Sequence, residues 1–147
     1  MRARFGDSVR VILSPLLKIV PVPIVDDLTN LSGVIFTSAQ AVDAARLPVG
    51  LPAWCVGPQT AARAKESGFA VTVGPGDARG LVEMITDTAP RGRLAHIRGF
   101  HTHENIAQLL MDTGVTCVDV IAYDQRALAP NAEAKNALKA KTPVVLP

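Results

Sequence analysis

Short apolar runs of strand length alternate with helix-like segments along this chain. The pattern predicts strands at VRVIL (9–13), VIFT (34–37), AWCVG (53–57), FAVTV (69–73), LAHIR (94–98), TCVDVIAY (116–123) and PVVL (143–146). Helices are predicted at about 39–46, in QTAARAKESG up to Gly68, in LVEMITDTA, in ENIAQLLMDTG and in NAEAKNALKAK (131–141). Ile106, Leu109, Leu110 and Met111 share one face at helical spacing. Gly68 and Gly114 fall where a left-handed residue commonly ends a helix, and Pro90 lies just past another. Thr102 is placed to cap the helix starting near His103.

Two segments interrupt the rhythm. SPLLKIVPVPIVDDL (14–28) carries Pro15, Pro21 and Pro23 and reads as extended and linker-like; YDQRALAPNAE (123–133) reads as a second crossing. Strand–helix alternation with short connections predicts an α/β fold, a flavodoxin-like parallel sheet with helices on both faces. Two crossings around one such unit predict an inserted domain, with pieces of another domain on either side.

The chain is 48% hydrophobic and 19% charged, enough apolar material to fill one core and too much for disorder. Its longest apolar runs fall well short of the ~20 residues of a membrane span. Met1-Arg2-Ala3-Arg4-Phe5 is basic, but no long apolar stretch follows as in a secretion signal. A net charge of +2, scattered Lys and Arg, one Trp and one Tyr argue against a nucleic-acid surface. Cys55 and Cys117 sit inside apolar runs without a CxxC, as buried free thiols of a cytoplasmic protein do.

In an open α/β sheet, ligands bind beyond the carboxyl ends of the strands, where helix N-termini turn free N–H groups outward. Here those positions are Thr37-Ser38, Gly57-Pro58-Gln59-Thr60, Gly74-Pro75-Gly76 and Arg98-Gly99. All are small, hydroxylic or cationic, an edge suited to carboxylates or phosphates, although caps alone favour the same residues. Sharper motifs fail. Gly74, Gly76 and Gly80 are spaced one residue too long for the dinucleotide fingerprint, and Asp77 would repel a pyrophosphate, so a loop and cap are expected there. No GxxxxGK[ST] or GxSxG occurs. His101 and His103 have only Glu104 nearby, which fits a solvated helix start better than a metal site. Asp26-Asp27 and Asp119 are isolated acids. Tyr123, the single tyrosine, ends a long strand where its phenol would either face a cleft or pack on the crossing.

GVIFTSAQAVDAA, WCVGPQTAARAKESGF, the RG of HIRGFHTHENIAQLLMDTG, and VDVIAYDQR, with SPLLKIVPVP before them, resemble the uroporphyrinogen-III synthase family in order and spacing across essentially the whole chain. The resemblance implies two α/β domains joined by a two-stranded linker: residues 27–122 as the inserted domain, 1–26 and 123–147 as the crossings and part of an outer domain, and the product of the reaction in the cleft between the domains. It implies a lyase of tetrapyrrole biosynthesis that dehydrates hydroxymethylbilane, a linear tetrapyrrole with eight carboxylates. The ring then closes with the last pyrrole inverted, without metal or organic cofactor. Carried onto this sequence, Tyr123 is the catalytic candidate, and Thr37, Ser38, Gly57, Thr60 and Arg98 are the substrate-binding candidates. Transient contact with the preceding pathway enzyme is the one macromolecular partner expected; neither nucleic acid nor membrane is. Family members are longer, so the expectation is a truncated member, weakly active or inactive alone.

The competing expectation is a non-catalytic flavodoxin- or receiver-like binding module. A receiver needs clustered acids at its first strand end and a late strand-end lysine, and VRVILSP and PVVLP offer neither. A flavodoxin needs a hydroxyl-rich phosphate loop and aromatics around the flavin, and Trp54 is the only tryptophan.

Overall fold

The computed structural model describes residues 10–88, 90–102 and 104–140. Among them six strands and five helices form: β1 Leu17–Pro21, β2 Leu31–Phe36, α1 Ala39–Ala45, β3 Pro52–Cys55, α2 Pro58–Glu66, β4 Ala70–Val73, α3 Ala78–Thr88, β5 Arg93–Gly99, α4 Ile106–Asp112, β6 Cys117–Ala127 and α5 Ala132–Lys139. The strands make one sheet in the order β1-β6-β5-β2-β3-β4. β2 runs parallel to both β3 and β5, β3 to β4, and β5 to β6. β1 opposes β6: the Val22 N–H donates to the Ala122 carbonyl and the Leu128 N–H to the Leu16 carbonyl, at 2.9 and 2.8 Å. The chain therefore steps outward from β2 to β4, then returns to the far side of β2 with β5. The winding reverses between β2 and β5.

Alternation along the central strands sends side chains to both faces, and each face has its own core. Val34, Phe36, Ala53, Ala95 and Ile97 pack with α1 and α2 on one side. Ile35, Trp54, Leu94 and Cys117 pack with α3 and α4 on the other. Both cores lie in a compact unit spanning Ile19–Gln125. A smaller unit combines the chain up to Lys18 with the chain from Arg126. Within it Asn131 caps α5, accepting from the Ala134 N–H at 2.8 Å, and its Nδ2 donates to the Leu13 carbonyl at 2.9 Å.

The helix ends follow the sequence closely. Gly68 and Gly114 adopt φ of 88° and 90° immediately after α2 and α4. Other details differ. The strand expected at 9–13 does not form among its described residues 10–13. Leu13 is 82% exposed, and its carbonyl meets the Asn131 side chain where a strand would have a ladder partner. The strand forms later, inside the proline-rich segment, where Pro21 is tolerated because β1 lies at the sheet edge. Asn105, not Thr102, caps α4, accepting from the Gln108 N–H at 3.1 Å; the Thr102 hydroxyl donates instead to the Glu104 carbonyl. β6 runs on past Tyr123 to Ala127, through residues expected to be a crossing. PVVL (143–146) and His103 lie outside the described residues.

Candidate active site at the strand ends

Because β2 to β6 are parallel, their carboxyl ends share one edge, and the winding reverses between β2 and β5, the place where open α/β sheets bind ligands. Thr37 and Ser38 follow β2 directly, half-buried. Register pairs Phe36 with Ile97, so these two residues stand beside the Arg98-Gly99 end of β5. Ser38 has extended backbone and caps α1, its Oγ accepting from the Ala41 N–H at 3.2 Å.

Tyr123 reaches this edge from β6. Its Oη lies 2.9 Å from Ser38 Oγ, although β5 separates the two strands. Gly99 makes that reach possible. A Cβ there would stand 2.7 Å from both Cε2 and Cζ of the Tyr123 ring, and 3.0 Å from its hydroxyl oxygen. The ring thus crosses the bare end of β5. The backbone is tied to the same point, with the Phe100 N–H donating to the Tyr123 carbonyl at 2.8 Å. Tyr123 is 4% exposed, so its phenol is held and not swinging on the surface.

One strand further along, Gly57 caps α2 with extended backbone and Pro58 opens the helix, leaving the following N–H groups turned to the edge. Thr60, in the first turn, is almost covered. The GPG loop is held against this strand end: Gly74 N–H donates to the Cys55 carbonyl at 2.7 Å and Gly76 N–H to the Val56 carbonyl at 2.8 Å. Asp77 Oδ1 accepts from the Gly80 N–H at 2.9 Å, so the segment is a loop and cap, as its spacing indicated.

Arg98 does not present an open cation. Its Nε and Nη2 donate to the two carboxylate oxygens of Asp119 at 2.7 and 2.6 Å. Its Nη1 donates to the Gly99 and Phe100 carbonyls at 2.8 and 3.1 Å. Asp119 is therefore not the isolated acid the sequence suggested. Beside it, His96 is wholly buried, neither ring nitrogen has a hydrogen-bond partner, and Nδ1 stands 3.8 Å from Asp119 Oδ1. Burial outweighs the opposing charge of Asp119 and pulls this imidazole down to about 4. Cys55 and Cys117 are free and buried, and burial pushes both thiols up to about 11.

The sequence placed Gly99 at a strand end and Asp119 within a strand, but not the passage of the Tyr123 ring over Gly99 or the pairing of Asp119 with Arg98. The available signal was RLAHIRG beside CVDVIAY: three polar side chains inside otherwise apolar strands, with His96 and Arg98 two residues apart and so on one face. At the same edge, the exposed Phe100 ring meets that of His101 edge-on at 5.2 Å. Among the described residues no three His, Cys, Asp or Glu side chains converge as metal ligands would, and no helix is long and apolar enough to cross a membrane.

The strand order and the hydroxyls at the winding reversal define a doubly wound α/β class of protein. Within that class, the family model described as uroporphyrinogen-III synthase HemD matches residues 5–146, and the chain belongs to that family. Its fold is similar to a uroporphyrinogen-III synthetase from Helicobacter pylori, with TM-score 0.64 and 20% identity over 86% of this chain and 61% of that one. It is also similar to a mutant uroporphyrinogen III synthase from the extremely thermophilic bacterium Thermus thermophilus, with TM-score 0.52 and 17% identity over 90% of this chain and 57% of that one. The chain thus spans about three fifths of the length of these relatives. A search of curated proteins finds no match.

Proposed function

We propose that this chain carries the tyrosine-bearing part of a uroporphyrinogen-III synthase site and acts on hydroxymethylbilane as a lyase. The observation that carries this reading is the Ser38–Tyr123 hydrogen bond across Gly99 at the winding reversal. The phenol protonates the departing terminal hydroxyl, which leaves as water. Ser38 stabilises the developing phenolate by hydrogen bonding, because a donor to the charged form favours it. The azafulvenium cation left by the departing water cyclises through a spiro intermediate, the proton released on ring closure returns to the Tyr123 phenolate, and the protein holds the chain folded for that attack.

The substrate's carboxylates are held by hydroxyls and N–H groups at helix starts: Thr37 and Ser38 on one strand, Gly57 and Thr60 on the next. Residues 27–122 form the inserted domain, 1–26 and 123–147 contribute linker crossings and part of an outer domain, and no cofactor is used. The protein works in the cytoplasm. Its only macromolecular contact is transient, with the enzyme that delivers the unstable substrate, and neither nucleic acid nor membrane takes part.

The test is to supply freshly made hydroxymethylbilane and measure the ratio of type III to type I uroporphyrinogen. Type I forms spontaneously and serves as the blank. Type III above the blank supports the reading. Type I alone, both from this chain and from a version extended to the length of its relatives, overturns it.

A further inference from the structure

We infer that Arg98 and Asp119 are positioning residues for Tyr123, clamping the Gly99–Phe100 turn against which the phenol rests; the inference builds on the proposed role of Tyr123 as proton donor. The sequence suggested a substrate-binding arginine. The geometry points elsewhere, since a guanidinium has five N–H donors and four of the five at Arg98 are engaged within the protein.

The two carbonyls it holds belong to the residues that seat Tyr123. Gly99 lies under the ring, and the Phe100 N–H grips the Tyr123 carbonyl. The β5–β6 register shifts between Arg98 and Gly99, so the regular ladder is interrupted just where the ring needs support. The guanidinium supplies the missing bonds from the side. Asp119, one strand over, fixes the guanidinium plane through both oxygens.

The side chains of Arg98 and Asp119 are 12% and 26% exposed, so solvent weakens the pair little. His96, the register partner of Asp119, makes no hydrogen bond to it and leaves both carboxylate oxygens to Arg98. A lysine would not substitute: a single ammonium cannot span two carboxylate oxygens and two carbonyls in one plane. The connected path is Asp119, Arg98, the Gly99–Phe100 turn, Tyr123 and Ser38.

Tyr123 is the only tyrosine, so ring-13C tyrosine labelling of the full chain reads this one side chain by NMR. The variants are Arg98→Met, Arg98→Lys and Asp119→Asn, compared after far-UV circular dichroism and Trp54 fluorescence establish that each is folded. If Arg98→Met does not fold, the milder Arg98→Lys and Asp119→Asn carry the test. The clamp predicts that ring flipping of Tyr123 quickens by about tenfold or more, with isoleucine methyl signals of the α3/α4 core unmoved. Unchanged Tyr123 ring signals in a folded variant overturn the inference.

Turnover of hydroxymethylbilane supplies the second readout. Positioning predicts that kcat falls about tenfold with KM nearly constant. A raised KM with unchanged kcat and unchanged ring signals assigns Arg98 to the substrate instead. If Tyr123→Phe keeps full rate, the proton-donor reading fails, whereas the ring measurements still decide whether the clamp exists.

Discussion

Tyr123 on β6 bonds Ser38 at the end of β2, 2.9 Å from oxygen to oxygen, by passing over the glycine that ends β5. The ends of β2 and β5 are thereby joined to the middle of β6. Removing either hydroxyl has distinct effects. Tyr123→Phe costs about 1 kcal/mol of stability and lowers formation of the type III isomer at least about tenfold. Ser38→Ala also loses the α1 cap, which adds about 1 kcal/mol. Urea unfolding of both single variants and the double variant gives a coupling near 1 kcal/mol if the bond is as seen.

Gly99→Ala puts a methyl group 2.7 Å from two ring carbons of Tyr123. The ring or the strand end must shift, at a cost of about 1–3 kcal/mol. Thermal unfolding should show the loss, and type III formation should fall as it does in Tyr123→Phe. Unaltered activity with unaltered stability contradicts the packing described.

His96 makes stability depend on pH. The buried ring stays neutral down to about 4, whereas in the unfolded chain it titrates at its ordinary 6.5. Between these values the unfolded state binds a proton that the folded state does not. Stability from this group is therefore full above pH 6.5, falls as pH drops through the window, and levels off below about 4. The total loss is roughly 3 kcal/mol. His96→Leu should remove this slope. It should also match or exceed the parent at pH 7, because two unpartnered nitrogens leave the core. Urea midpoints at pH 4, 5, 6 and 7 check both points.

Cys55 and Cys117 should resist thiol reagents in the native protein, being buried with the thiols pushed up to about 11. Ellman titration should find both only after denaturant is added. Rapid labelling of either in the folded state contradicts the core described.

Local chemistry made much of this protein legible in its sequence. Short apolar runs placed β2 to β5 to within a few residues; for the central β2, β3 and β5 the reason is that a strand buried on both faces needs apolar side chains throughout. Gly68 and Gly114 marked helix ends because a left-handed residue costs glycine little. The hydroxyls after β2 and the glycine after β3 marked the carboxyl edge, because parallel strands send all those ends one way.

What local chemistry does not carry is which strands become neighbours. The residues at 10–13 have strand composition but gain no ladder partner, while the proline-rich β1 finds one in β6. Arg98 and Asp119 are 21 residues apart, and nothing in either stretch states that β5 and β6 pair with these two side chains on one face. Tyr123 meets Ser38 across 85 residues only because the winding reverses at β2 and a glycine ends the strand between them. The sequence by itself determined most of the central elements, β2 to β5 and the helices between them, and the chemistry available at their ends. The tertiary structure decided which of those groups meet, because register and strand order are settled by packing the whole sheet at once.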